Sequence, residues 1–260
     1  MDQRRLLFPR CRGARGIAGS RRILVRTGRA AAARAGRRGG GIHHDGGLHR
    51  YRRAGRFRAR AGALRGAGVS APSIRAPYLD PAADGLLIAA PTPRQALFLD
   101  RDGVININHG YVHAPAGTDW VPGIFALVAD AHARGFLPIV VTNQAGIGRG
   151  LYDEAAFLDY TAWMHAQFAM RGTPLLATFW CPHHAEAGLG DYGVDCDCRK
   201  PRPGMLREAI ARFDINPARS LMIGDKQADL DAAAAAGVPA RLLREQDWGA
   251  GLAAMLDATA

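Results

Sequence analysis

The segment Asp100-Arg101-Asp102-Gly103 sets two carboxylates two residues apart, directly after the apolar run Ala96-Leu97-Phe98-Leu99. Two acids beside one ligand can divide the work: one attacks or holds a cation while the other moves protons. An acidic turn after any strand has the same look, so the pair needs company before it means chemistry. That company follows in chain order. Thr142-Asn143-Gln144-Ala145 brings a hydroxyl and two amides, with Gly146, Gly148 and Gly150 behind them; Arg199-Lys200 and then Asp225-Lys226 complete the set. Asp100 and Asp225, with a backbone carbonyl, are oxygen donors of the kind a hard cation such as Mg²⁺ takes. Lysine, arginine, a hydroxyl and free backbone N–H groups suit a phosphoryl group, whose transition state spreads charge over its oxygens. Together these residue types compose Mg²⁺-assisted phosphoryl transfer to Asp100.

A second pattern is Cys181-Pro182-His183 joined by twelve residues to Cys196-Asp197-Cys198. Three thiolates and an imidazole close a tetrahedral zinc site and leave no open position, so the Zn²⁺ is expected to be structural and to pin its loop. His184 is the alternative to His183, and the two-residue spacing favours His183. Three unrelated buried cysteines remain the plain alternative. An odd cluster of thiols beside histidines points to metal rather than disulfides, hence to a reducing compartment and a cytoplasmic location.

These residues need a frame. Apolar runs Ala96–Leu99, Phe136–Val141, Leu175–Trp180, Ser220–Ile223 and Pro239–Leu243 read as buried strands, with Pro138 expected at the beginning of its strand because it lacks a ladder donor. Ile124, Leu127, Val128 and Ala131 repeat with a helical period between Pro122-Gly123 and Gly135. Phe157, Thr161, Met164 and Phe168 mark a helix over about 153–171, in which His165 is expected at the surface or in packing. Leu206, Ala209, Ile210 and Phe213, then the alanines of 231–236, then Leu252–Leu256, supply three more helices. The alternation predicts an α/β fold, a doubly wound parallel sheet whose strand ends form the ligand crevice.

With that order on the page, the chain resembles the haloacid dehalogenase (HAD) superfamily of phosphatases over about residues 95–245, carrying DxDG, TNQ, RKP and GDKxxD in sequence. The zinc loop narrows the resemblance to the branch acting on heptose bisphosphates and histidinol phosphate; the long loop and His109-Gly110-Tyr111-Val112-His113 favour the former. The resemblance implies a Rossmann-like HAD fold with no large cap domain. It implies removal of the 7-phosphate of D-glycero-D-manno-heptose 1,7-bisphosphate through an aspartyl-phosphate, in nucleotide-activated heptose and surface-polysaccharide biosynthesis. Histidinol phosphate is the alternative substrate. By the same resemblance, Asp100 is the nucleophile and Asp102 the acid and base. Mg²⁺ is held by Asp100, the main-chain oxygen of Asp102, and Asp225. Thr142 and Lys200 bind the transferring phosphoryl group, and Asn108, His109, Gly110, Tyr111, Asn143, Gln144, Ala145, Arg199 and Lys226 contact the substrate. Asp229 supports the acidic site. Ala145 stands where a serine often follows TNQ, which weakens a side-chain contact there.

The rest of the chain is different in kind. Residues 1–93 hold 20 Arg, no Lys, no Glu and four Asp, a balance of +16, whereas residues 94–260 hold 14 basic and 19 acidic residues, a balance of −5. The whole-chain charge of +11 therefore belongs to the first third. Arg, Gly and Ala without an apolar period cannot bury enough surface to offset ordering entropy, so disorder is expected over 1–93 and one phosphatase domain over 94–260. An Arg/Gly arm can bind nucleic acid through phosphates, which would make a nucleic-acid-binding phosphatase; an organelle transit segment and a translation start placed too early are the other readings. Aromatic interleaving is sparse (Tyr51, Phe57), so nucleic acid is not the expected partner. Cys11 stands alone there, and His43, His44 and Asp45 read as incidental. No window approaches the roughly 18 apolar residues of a membrane span, so no membrane partner is expected. The expected partner is a small sugar phosphate, met by a monomer.

Overall fold

The computed structural model describes residues 74–259. The Arg-rich stretch before residue 74, with Cys11, His43, His44, Asp45, Tyr51 and Phe57, lies outside the described residues. Six strands among the described residues make one sheet: β1 (Tyr78–Leu79), β2 (Gln95–Leu99), β3 (Phe136–Asn143), β4 (Ala177–Cys181), β5 (Leu221–Gly224) and β6 (Ala240–Leu242). Their order is β1-β4-β3-β2-β5-β6, with β2 to β6 parallel and β1 antiparallel to β4. No described helix is long and apolar enough to cross a membrane.

The continuous apolar runs follow from burial on both faces, which removes any reason for polar alternation. Ala96 and Phe98 of β2 and Ile139 and Val141 of β3 pack with α5 (Gly204–Phe213) and α6 (Gln227–Ala235) through Leu206, Ala209, Phe213, Ala232 and Ala233. The intervening Leu97, Leu99 and Val140 face α2 (Ile124–Ala133), α4 (Glu154–Ala169) and α7 (Ala250–Ala253) through Ile124, Leu127, Val128, Met164, Phe168 and Leu252. Each large side chain so buried contributes about 2 kcal/mol. The Asp153 carboxylate accepts from Ala156 N at 2.8 Å and caps α4, which fixes where that helix begins.

Connections leave β2 toward β3 on one side and β5 toward β6 on the other, so the order reverses between β2 and β5. That is where an open α/β sheet offers a crevice at its carboxyl edge. Leu99 pairs with Ile223, so the chain leaves both strands at the same height, carrying Asp100 and Asp225 into that crevice.

Two expectations are corrected. The fold begins before residue 94: β1 and α1 (Ala83–Ala89) belong to it, and Ile74, Leu86 and Leu87 pack on the core. A two-residue strand is too short to show a period, which is why composition alone put the boundary later. Pro138 is not at the start of its strand but third in β3, paired with Leu97. Its carbonyl accepts from Leu176 N, so its missing donor faces the β4 side one residue before β4 pairing begins at Ala177, and no ladder bond is lost. The stretch after TNQ, whose glycines are expected to be able to cradle an oxyanion, forms a helical turn, α3 (Ala145–Gly148).

His165, expected at the surface or in packing, is buried in α4 between two polar partners. Asp80 Oδ2 lies 2.9 Å from Nδ1 and Thr178 Oγ1 lies 2.9 Å from Nε2. Burial pushes the imidazole below its ordinary value. The Asp80 carboxylate also accepts from Ala82 N at 2.8 Å, so the turn after β1 is locked to α4 and β4. Asp80→Ala leaves a buried nitrogen unpaired and is expected to cost about 1–3 kcal/mol, read as a lower denaturation midpoint in urea. An unchanged midpoint would show that the pair does not hold the edge.

Candidate active site

At the carboxyl edge of β2, β3 and β5 lies a cavity of about 240 Å³ lined by Asp100, Asp102, Asn108, Gly110, Tyr111, Thr142, Asn143, Gln144, Ala145, Gly146, Tyr152, Lys200, Lys226, Ala228 and Asp229. Its floor is a buried charge cluster. Lys200 Nζ stands 2.9 Å from Asp100 Oδ1 and 2.6 Å from Asp229 Oδ1, and donates to Val141 O at 2.7 Å. Burial alone would push the ammonium down, but the Asp100 and Asp229 charges outweigh it and hold Lys200 protonated, above its ordinary value. The lysine is placed by its own backbone: Lys200 N donates to Asn143 Oδ1, and Asn143 Nδ2 donates to Lys200 O, each at 3.0 Å. Asn143 therefore works as a clamp between β3 and the segment after Cys198. Asp229 is also fixed twice, its Oδ2 accepting from Lys226 N at 3.0 Å at the start of α6.

Asp100, Asp225 and Asp229 present carboxylate oxygens within 4.8 Å of one another. Burial, and next the charge of Asp100, pushes Asp225 up to about 6. Its Oδ1 is buried with no protein partner among the described residues. Gly103, at φ +100°, lies against the Asp225 carboxylate where a Cβ would collide, so glycine is required for the two segments to meet. Negative charge in excess of Lys200, presented as oxygens with one left over, fits a small divalent cation with hard-donor preference. Asp229, spent on Lys200 and the Lys226 amide, supports the cluster from behind.

Asp102 is held by three donors. Arg101 Nη2 reaches Oδ2 at 2.7 Å, Asn106 Nδ2 reaches Oδ1 at 3.0 Å, and Gln144 Nε2 reaches Oδ2 at 3.3 Å. The Gln144 amide also donates to Thr142 Oγ1 at 2.8 Å, which occupies an acceptor site on that hydroxyl and leaves its own proton for an oxyanion. Tyr152 OH donates to Gln144 Oε1 at 2.6 Å and orients the amide. Tyr152 reaches it because its ring lies on Gly146, where a Cβ would overlap.

Of the substrate-contacting positions expected above, Asn108, Gly110, Tyr111, Asn143, Gln144, Ala145 and Lys226 line the cavity. His109 and Arg199 do not. His109 is exposed and pairs with Asp119 Oδ2 at 2.8 Å, and Arg199 Nη1 donates to His183 O at 3.1 Å, bracing the cysteine loop. Asp225 lies behind the floor, lining an adjoining depression with Gly103 and Trp248. The sequence reading did not single out Arg101, Asn106 and Tyr152. Arg101 was detectable, because a strand-end residue between two outward acids must point back into the core.

Cys181, His183, Cys196 and Cys198 are buried together. Cys181 Sγ is 3.5 Å from Cys196 Sγ and 3.1 Å from Cys198 Sγ; Cys196 and Cys198 are 3.2 Å apart, and His183 Nδ1 is 3.4 Å from Cys198 Sγ. Sulfurs around zinc stand about 3.8 Å apart for the usual bond length, so a small adjustment closes the shell. Hydrogen bonds from Cys181 and Cys198 hold the Cys196 thiol low, while Cys196 in turn pushes Cys181 up. Three sulfurs and one imidazole nitrogen gathered in this way form a donor set that fits Zn²⁺. His184 is excluded from the cluster and sits 3.3 Å from Arg149 Nη2.

A family model described as HAD-hydrolase-like matches residues 197–247. The D-glycero-beta-D-manno-heptose-1,7-bisphosphate 7-phosphatase of Vibrio cholerae serotype O1 is 47% identical over 150 residues, which are 58% of this chain and 81% of that protein. The D-glycero-alpha-D-manno-heptose-1,7-bisphosphate 7-phosphatase of Burkholderia mallei is 48% identical over 149 residues, 57% of this chain and 79% of that one. Among solved structures, a HAD-like phosphatase from Mesorhizobium loti aligns with TM-score 0.59 at 34% identity, covering 65% of this chain and 88% of the other. The D,D-heptose 1,7-bisphosphate phosphatase of B. bronchiseptica, complexed with magnesium and phosphate, aligns with TM-score 0.52 at 35% identity over 60% and 83%. Near-half identity over four-fifths of a relative, 81% for the first of these, makes the chain a member of the D-glycero-D-manno-heptose-1,7-bisphosphate 7-phosphatase family of HAD-like hydrolases.

Proposed function

We propose that this protein is a Mg²⁺-dependent phosphatase that removes the 7-phosphate of D-glycero-D-manno-heptose 1,7-bisphosphate. The carrying observation is the cavity floor, where a carboxylate at a strand end faces a buried, protonated lysine with a hydroxyl and an acid–base carboxylate beside it. Asp100 attacks phosphorus, and the bond from phosphorus to the sugar oxygen breaks. Asp102 gives its proton to that departing oxygen. Water then attacks the aspartyl-phosphate, Asp102 takes the proton back, and inorganic phosphate leaves with Asp100 restored. Thr142 and Lys200 neutralise charge on the phosphoryl oxygens through both steps. Asp100, the main-chain oxygen of Asp102, and Asp225 would hold Mg²⁺, which supplies further charge neutralisation when bound. Asn108, Gly110, Tyr111 and Lys226 shape the sugar end of the cavity.

The four buried donors Cys181, His183, Cys196 and Cys198 would hold Zn²⁺, and the residues so tied would fix the turn that delivers Lys200. A site built on cysteines outside disulfides suits a reducing, cytoplasmic setting.

The test is phosphate release by the full chain with Mg²⁺, comparing both anomers of heptose 1,7-bisphosphate with histidinol phosphate. Preference for a heptose bisphosphate is the expected result. Preference for histidinol phosphate would keep the chemistry and overturn the substrate.

A further inference from the structure

Arg101 is fully buried, the largest side chain in the described residues to be so. It lies between the two acids yet points away from the cavity, over the rings of Tyr160 (5.1 Å to the centroid) and Phe157 (5.9 Å). Its Nε and Nη1 have no protein partner among the described residues. Burying a charge so sparsely bonded is costly, and an apolar side chain of similar size would serve packing better. What Arg101 does have is one nitrogen with two acceptors. Nη2 donates to Asp102 Oδ2 at 2.7 Å and to Val112 O at 2.6 Å. The second acceptor ends the loop whose Asn108, Gly110 and Tyr111 line the cavity.

Resting on the phosphatase reading above, we propose that Arg101 is a positioning residue for leaving-group protonation: its guanidinium ties the Asp102 carboxylate to the substrate loop at Val112, so that the proton donor and the sugar oxygen meet in register. The aromatic faces of Tyr160 and Phe157 act as a stop that prevents the guanidinium from retreating. Planarity matters, because it fixes the directions of both Nη2 protons, which a freely rotating ammonium does not.

The prediction separates positioning from general packing by choice of leaving group. A sugar alkoxide cannot leave without a proton, whereas p-nitrophenolate can. In Arg101→Met, kcat/KM for heptose 1,7-bisphosphate is expected to fall about 10²-fold, and that for p-nitrophenyl phosphate by less than about five-fold. Arg101→Lys should recover roughly ten-fold of the loss on the sugar phosphate. If the methionine variant does not fold, the lysine variant carries the same comparison, with its zinc content and melting curve measured alongside. Equal losses on both substrates in the folded variant would overturn the positioning role. Failure of the wild-type protein to act on the heptose bisphosphate would instead overturn the substrate reading, and the two results cannot be confused.

Discussion

Asp100→Asn is expected to lower turnover by roughly 10⁴- to 10⁶-fold, the scale on which loss of a nucleophile is felt. The fold should survive. Lys200 keeps Asp229 at 2.6 Å as a counter-charge, so no buried ammonium is left unpaired. Asp225, which the Asp100 charge helps push up to about 6, is relieved of a repulsive neighbour. The melting midpoint should therefore stay or rise while activity vanishes, and that opposite movement is the signature of a charged site that works against stability. Phosphate release measured beside a thermal melt decides the matter. Turnover near the wild-type rate would remove Asp100 as nucleophile, and a collapsed melt would make Asp100 structural.

Cys196→Ser carries the second large effect. The loop from His183 to Cys198 has little core of its own, and the backbone of Lys200 is two residues past the last thiol. Loss of one ligand should drop zinc occupancy from one per chain to well below half and release the segment that Asn143 clamps. Breaking a structural metal site typically costs several kcal/mol. Activity should fall with it, because Lys200 Nζ must stay within reach of Asp100. Zinc released to a chromogenic chelator, compared with phosphate release on the same sample, tests the link. Full occupancy in the variant would show the ligand set to be wrong.

The acids at the cavity were legible in the sequence because strand ends announce themselves: an apolar run stops, an acid follows, and glycine turns the chain away. The cysteine cluster was legible through spacing alone. Other parts were not, for reasons that are physical. Asp80, His165 and Thr178 meet only after folding, the first two 85 residues apart. Tyr152 reaches Gln144 across the face of Gly146 in α3, and a run of glycines does not announce a helical turn. His109 and Arg199 fit a motif by type, and the motif does not announce the partners that folding gives them, Asp119 and the His183 carbonyl.

The two-residue strand β1 matters beyond its size. It pairs with β4, and the residues just before and after it close over that side of the sheet. A shortened chain starting at residue 94 would uncover the outer edge of β4 at Ala177 and Thr178 and leave His165 without its carboxylate. Such an open margin is a template for another copy of itself. A fragment that keeps β1 and Asp80 should therefore stay monodisperse at concentrations where one starting at residue 94 associates, a difference light scattering would show.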